Sequence, residues 1–154
     1  MKKRNQVEMT KAEIEVYLRR QKKVMLASQG REGRPHVVPM GYLVEPGCVV
    51  VMTGFRKSQK TLNIERSPEI SLLVESGDLY EELKGVLIYA RAEIIDEIDV
   101  VTDALRRMSQ DDNYGEEQAL AETVAATARN RVVIRCLPER FISWDHSKLA
   151  KGVY

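Results

Sequence analysis

Arg56, Lys57, Ser58, Gln59 and Lys60 follow closely on an apolar run, Val49 to Met52, that is closed by Thr53. The wider segment TGFRKSQKTLNIERSP, Thr53 to Pro68, carries Arg56, Lys57, Lys60 and Arg66 against only Glu65. A strand that ends in Thr53-Gly54 and turns into a helix near Lys57 or Ser58 gathers free backbone N–H groups, a hydroxyl and two ammonium groups. That combination attracts phosphate, because helix N-terminal amides and their dipole favour negative charge and lysine adds a point charge. The competing reading is a solvated helix face, with Leu62 and Ile64 turned inward and the lysines kept in water. The charge pattern alone leaves both open. The glycine spacing of a P-loop is missing and no GxGxxG occurs, so neither of those nucleotide fingerprints applies.

The remaining reactive side chains are few. His36 has the chemistry for proton transfer near neutral pH, but it opens a strand-like run, where a surface or hydrogen-bonded histidine is the simpler reading. His146, beside Asp145, could face a substrate or a metal. With only two histidines in the chain and no second ligand at fixed spacing, no metal site is expected. No catalytic acid or base is assigned. Cys48 and Cys136 lie in apolar, strand-like runs and read as buried reduced thiols. The six methionines are scattered and read as core filler.

The elements that must position these groups follow from periodicity. TKAEIEVYLRRQ opens with Thr10 and Glu13 at capping-box spacing and places Ile14, Tyr17 and Leu18 on one side, which predicts a short amphipathic helix. Residues 23–53 contain three β-type runs, broken by turn chemistry at Gly30 to Pro35 and at Glu45 to Gly47. Lys57 to Arg66 is predicted as one short helix ended by Pro68, after which EISLLVE resumes as a strand. The cluster Tyr80, Glu81 and Glu82 reads as a polar hairpin tip. GVLIYARAEIIDE then makes a long strand, with Arg91 and Glu93 opposite Ile88 and Ala90. Ile98 to Arg129 reads as two helices broken at DDNYG, and RVVIRCLPERFISWD as two strands around Pro138.

The bulk composition sets limits. At 154 residues the chain suits one domain with its own core. Its 24 basic and 23 acidic residues leave a formal charge of +1, so any basic site is local and neither nucleic acid nor a membrane surface is implied. No apolar run approaches a membrane span, and MKKRNQ is not followed by a signal-peptide core, so the expectation is a cytoplasmic protein. The fold class expected is mainly β with added α: six to seven antiparallel strands forming one barrel-like domain with flanking helices.

Residues Gly33 to Glu75 resemble the FMN-binding split β-barrels of the pyridoxamine 5′-phosphate oxidase-like superfamily. The matching features are the GRPHVVP strand after a Gly-containing hairpin, the strand ending in Thr53, the basic RKSQK turn, and the NIERSPEISLLV helix, proline and strand. GVLIYARAEI continues the pattern, and PERFISWDHSKL resembles the last strand of small uncharacterised members. The resemblance implies a single FMN-binding split-barrel domain over residues 1–154. It implies that Lys57, Ser58 and Lys60 hold the flavin phosphate, with Gln59, Arg56 and Asn63 as neighbours and Thr53 near the ring or ribityl chain. It implies that His36, Val37, Val38, Pro39 and Met40 run along the isoalloxazine. Members are characteristically homodimers with cofactor sites at the subunit interface, and Trp144 is the expected contribution of the second chain.

The chain passes from Trp144 through DHSKLAKGVY and has no Arg-Leu-His type substrate motif, so oxidation of pyridoxamine phosphate itself is not expected. A related group uses a deazaflavin coenzyme, which the same basic turn would serve. The leading function is an FMN-dependent oxidoreductase acting on a small-molecule substrate. The alternative is a non-catalytic flavin, deazaflavin or haem binding protein, such as a carrier or sensor. A single-stranded nucleic-acid binding barrel is disfavoured by the near-neutral charge and few aromatics.

Overall fold

A computed structural model describes residues 3–111 and 117–149. Its elements are α1 (Lys3–Val7), α2 (Lys11–Arg20), β1 (Lys23–Gln29), β2 (Pro35–Gly41), β3 (Leu43–Glu45), β4 (Val49–Phe55), α3 (Gln59–Arg66), β5 (Glu69–Ser76), β6 (Lys84–Ile95), α4 (Ile98–Asp111), α5 (Glu117–Ala128) and β7 (Arg131–Asp145). The expected break between α4 and α5 at DDNYG falls largely outside the described residues.

The seven strands form one antiparallel sheet in the order β2-β1-β5-β6-β7-β4-β3. β2 and β3 follow each other in the chain with only Tyr42 between them, yet they sit at opposite edges of the sheet. A flat sheet would hold its edges several strands apart, so this connection requires the sheet to curl into a split barrel. Tyr42 is buried at the join, and its hydroxyl donates to the Leu18 carbonyl at 2.5 Å, tying the curl to α2. α2 itself starts with the expected capping box, Thr10 and Glu13 each bonding the other's backbone N–H.

Strand alternation builds two cores. Val24, Leu26, Ile70, Leu72, Val74, Val86, Ile88, Val50, Met52 and Ile134 point into the barrel. On the other face of β4 and β7, Val49, Val51 and Val133 pack under Val101 and Ala104 of α4 and Ala128 of α5. β4 is therefore covered on both faces, which is why its sequence is an unbroken apolar run and not an alternating one.

Two expectations are corrected. Residues 131–145 form one strand, not two flanking Pro138. Tyr89 pairs with Arg140 and Ala90 with Pro138, so Glu139 is an extra residue in a β-bulge. The bulge accommodates a residue without an N–H and flips the inward parity, from Ile134 and Cys136 before it to Ser143 and Asp145 after it. Cys48 lies in the β3–β4 turn with φ of 61°, not within a strand, although it and Cys136 are both buried free thiols. The Tyr80–Glu82 tip forms one turn of 3-10 helix, as a hairpin tip between β5 and β6.

Candidate cofactor site

β4 leads directly into the basic turn. Ser58 is the N-cap of α3, in extended conformation, and the helix proper runs from Gln59, one or two residues later than the sequence suggests. The Ser58 side chain does not cap the helix. Its Oγ lies 3.0 Å from Thr61 Oγ1, and Thr61 Oγ1 stands 2.9 Å from the Phe55 carbonyl, to which it donates. Because a threonine hydroxyl has one proton, Ser58 is the donor to Thr61 in this arrangement. Its proton is available to an anion only after it turns away from Thr61.

The basic residues separate by partner. Arg56 is neutralised by Asp96 at 3.1 Å, and its N–H donates to the Asn130 carbonyl. Lys57 is exposed, and Lys60 half-buried. Neither makes an ion pair among the described residues. The Lys60 stem crosses Gly54, where an added Cβ would lie 3.1 Å from Lys60 Cε, so the absence of a side chain at Gly54 makes room for the lysine. Burial, with the nearby Arg131 charge adding to it, holds the Lys60 ammonium below its ordinary range.

Arg131 is the residue that sequence reasoning missed. It opens β7 opposite Phe55 of β4, and its Nη1 lies 3.5 Å from Thr53 Oγ1. The separation of 78 positions from Thr53 hides it from any local pattern. The only signal in the sequence was that this strand begins with a cation.

Gln59 and Asn63 serve the fold. Asn63 is fully buried. Its Nδ2 donates to Ser28 Oγ at 3.1 Å, while its Oδ1 accepts from Gln59 at 2.8 Å and Arg66 at 3.2 Å. These bonds fasten α3 to β1 and occupy the amide. Thr53 is buried; its hydroxyl donates to the Met108 sulfur at 3.8 Å.

β2 divides its residues between two faces. Val38 and Met40 pack against the barrel core, whereas Val37 and Pro39 are exposed on the opposite side. All of them together cannot line a single ligand by side chain, but the backbone of β2 is a sheet edge with one side unpaired. His36 is aligned with buried Ser28 on β1, and its Nδ1 is buried without a partner.

Trp144 lies near the far end of β7 from Arg131, so the structure does not bring it to the basic turn within one chain. It is aligned with Gly85, where an added Cβ would meet the indole at 2.4 Å; the ring lies flat on that glycine. His146 is held by its Nδ1 at 2.8 Å from the Tyr80 carbonyl, with the two rings 4.6 Å apart.

A curled seven-stranded sheet with cations, hydroxyls and helix amides at the β4–α3 turn defines a split barrel with the equipment of an anion site. The donor set suits the phosphate of a flavin: no carboxylate pairs with Lys57 or Lys60 among the described residues, and both stand at the start of α3, where its free amides lie. The chain belongs to the pyridoxamine 5′-phosphate oxidase family, whose description matches residues 10–145. A conserved hypothetical protein from Mycobacterium tuberculosis is 30% identical, with a TM-score of 0.88 over 100% of this chain and 97% of that one. A protein named F420 reductase is 24% identical, with a TM-score of 0.66 over 88% of this chain and 96% of that one. An FAD-binding protein from Mesorhizobium loti is 20% identical, with a TM-score of 0.62 over 88% and 93%. No curated protein matches the chain significantly. No helix among the described residues is long and apolar enough to cross a membrane.

Proposed function

We propose that this protein is an FMN-dependent oxidoreductase acting on a small molecule, with the flavin phosphate held at the β4–α3 turn of a homodimer. The observation that carries this reading is Lys60. It is a half-buried cation laid over Gly54 beside the first turn of α3, and no carboxylate neutralises it among the described residues. A solvated-face lysine would extend into water and keep its ordinary proton affinity. Proteins named F420 reductase and FAD-binding protein are built on the same fold, which makes a flavin-type ligand compatible with it.

In this reading Lys57, Lys60 and the α3 amides bind the phosphate, and Ser58 joins them by releasing Thr61. The free edge of β2 offers backbone groups to the polar rim of the ring. The bound isoalloxazine supplies hydride chemistry. The chain's contribution is binding, orientation and exclusion of water.

The dimer is supported by an apolar row. Pro39, Met25, Leu73, Leu87 and Ile142 stand in register across β2, β1, β5, β6 and β7, on the face turned away from the barrel core. Trp144 shares that face, two residues beyond Ile142. In a lone chain Pro39 is exposed and the other four are half-buried, whereas a second copy would cover the row and bring its own Trp144 to the cleft.

The test is anaerobic mixing of FMN-loaded protein with NADPH or NADH, followed by the oxidised-flavin absorbance band. Rapid bleaching is expected. A bound flavin that neither nicotinamide reduces would make the protein a carrier, and tighter binding of the deazaflavin coenzyme in a parallel titration would reassign the cofactor.

A further inference from the structure

Two buried polar side chains stand where α3 packs on the end of β1: Ser28, 4% exposed, and Asn63, 0% exposed. The bonds through them run in one direction. Gln59 Nε2 donates to Asn63 Oδ1 at 2.8 Å, and Asn63 Nδ2 donates on to Ser28 Oγ at 3.1 Å. Ser28 thus accepts a hydrogen bond, while its own hydroxyl proton has no acceptor among the described residues. Its direct partner across the β1–β2 ladder is His36, which shares the inward face of β2 with Val38 and Met40. The His36 Nδ1 is buried and unpartnered among the described residues. Paired residues of neighbouring strands hold their Cβ atoms about 5 Å apart, so a side-chain rotation brings the hydroxyl and the imidazole nitrogen to bonding distance. A donor without an acceptor and a nitrogen without a donor therefore face each other, and each is costly alone. The imidazole is half-buried, with Nε2 on its open side. A neutral imidazole has one donor and one acceptor nitrogen, so filling Nδ1 as the acceptor leaves the proton on Nε2.

We propose that Ser28 is a positioning residue: its hydroxyl donates to His36 Nδ1, completing a chain from Gln59 through Asn63 that holds His36 as the Nε2–H tautomer, a donor to an uncharged oxygen of the ligand beside β2. This rests on the flavin reading above and adds to it a neutral contact on the β2 side. Gln59 opens α3 at the turn given to the phosphate, so the chain links that turn to β2, and bonds polarised in one direction reinforce one another. A neutral N–H suits a hydroxyl of the ribityl chain or a ring carbonyl, groups that FMN and riboflavin share. The contact therefore acts on both ligands alike, unlike the lysines of the turn, which act on FMN alone.

The experiment records long-range proton–nitrogen spectra of FMN-loaded, histidine-labelled protein in mildly alkaline buffer, together with fluorescence titrations of FMN and riboflavin. His146→Gln assigns the signals of the two histidines. Wild type is expected to hold His36 as the Nε2–H tautomer, and Ser28→Ala to mix the tautomers. Ser28→Ala and His36→Phe each weaken FMN and riboflavin by about fivefold, as for one neutral hydrogen bond, and the double variant loses little more. Ser28→Thr, which keeps the hydroxyl, and His36→Gln, which keeps an N–H near the place of Nε2, recover most of the affinity. A serine that only fastened α3 would change stability without moving the tautomer. If loaded wild type holds His36 as Nδ1–H, if Ser28→Ala leaves the tautomer unchanged, or if His36→Phe keeps riboflavin affinity, the proposal falls and the flavin reading stands. If wild type binds neither FMN nor riboflavin, both fall. Should Ser28→Ala fail to fold, His36→Phe against His36→Gln decides, since equal losses in the two overturn the proposal.

Discussion

Asp145 shows how environment decides what a charged side chain does. Burial pushes its carboxyl up, but the Lys84 ammonium at 2.8 Å and the Ser147 hydroxyl and N–H more than offset this, and its proton affinity ends below the ordinary value. A carboxylate whose folded pKa is depressed contributes stability that is present above its unfolded pKa, near about 4, and is lost as pH falls through the lower folded value. Asp145→Asn is therefore expected to lower the melting temperature at neutral pH and to reduce the loss of stability on acidification below about pH 4. Thermal melts of both proteins at pH 7 and pH 3 check this, and parallel acid limbs would contradict it. Lys60 is the opposite case, a cation with desolvation and a like charge but no ion-pair partner among the described residues. The neighbours, more than the residue type, separate a structural ion pair from a ligand site. The charge pattern alone did not make that distinction, since Arg56 and Lys60 belong to one basic run; Asp96, which neutralises Arg56, is 40 positions away.

Elements were more legible than their partners. The capping box of α2, the short helix ended by Pro68 and the long β6 all follow from local chemistry, and local chemistry decides them in the fold. Proline misled in β7, because its missing N–H was read as a strand end, whereas a bulge at Glu139 absorbs it and the ladder continues. α1 was not anticipated: it spans only five residues and is held by tertiary packing on β7, for which a short sequence carries no signal. For the candidate site, Lys57, Ser58 and Lys60 stand close in the chain, but their spacing left an anion site and a solvated face both open. The place of Arg131 beside Thr53 had no local signal, since only the pairing of β4 with β7 brings the two together. Asn63, expected as a neighbour of the phosphate from its place one helical turn beyond Lys60, has its amide fastened to Ser28 of β1, a contact 35 positions away that no local pattern shows.

At the scale of the molecule, the curl of the sheet leaves one broad face without cover. α4 and α5 protect the outer side of β4 and the first part of β7, and α1 borders β7 beside Ile142, while Pro39, Met25, Leu73 and Leu87 of the row stay partly or fully exposed. If a second copy covers that row, a charge in its middle must break the assembly while leaving the barrel interior untouched. Leu73→Glu with Leu87→Glu is expected to give a folded monomer by light scattering and to lose flavin affinity with it, because the partner's part of the cleft is gone. A dimer of unchanged stability would move the interface elsewhere. The central claim, however, is that the β4–α3 turn holds the phosphate, and one titration tests it. FMN affinity is measured for wild type and for Lys57→Met with Lys60→Met, both folded by circular dichroism. Losing two charge-assisted contacts should weaken binding by at least about 100-fold, with riboflavin little affected; FMN affinity equal in both proteins would return the turn to a solvated helix face.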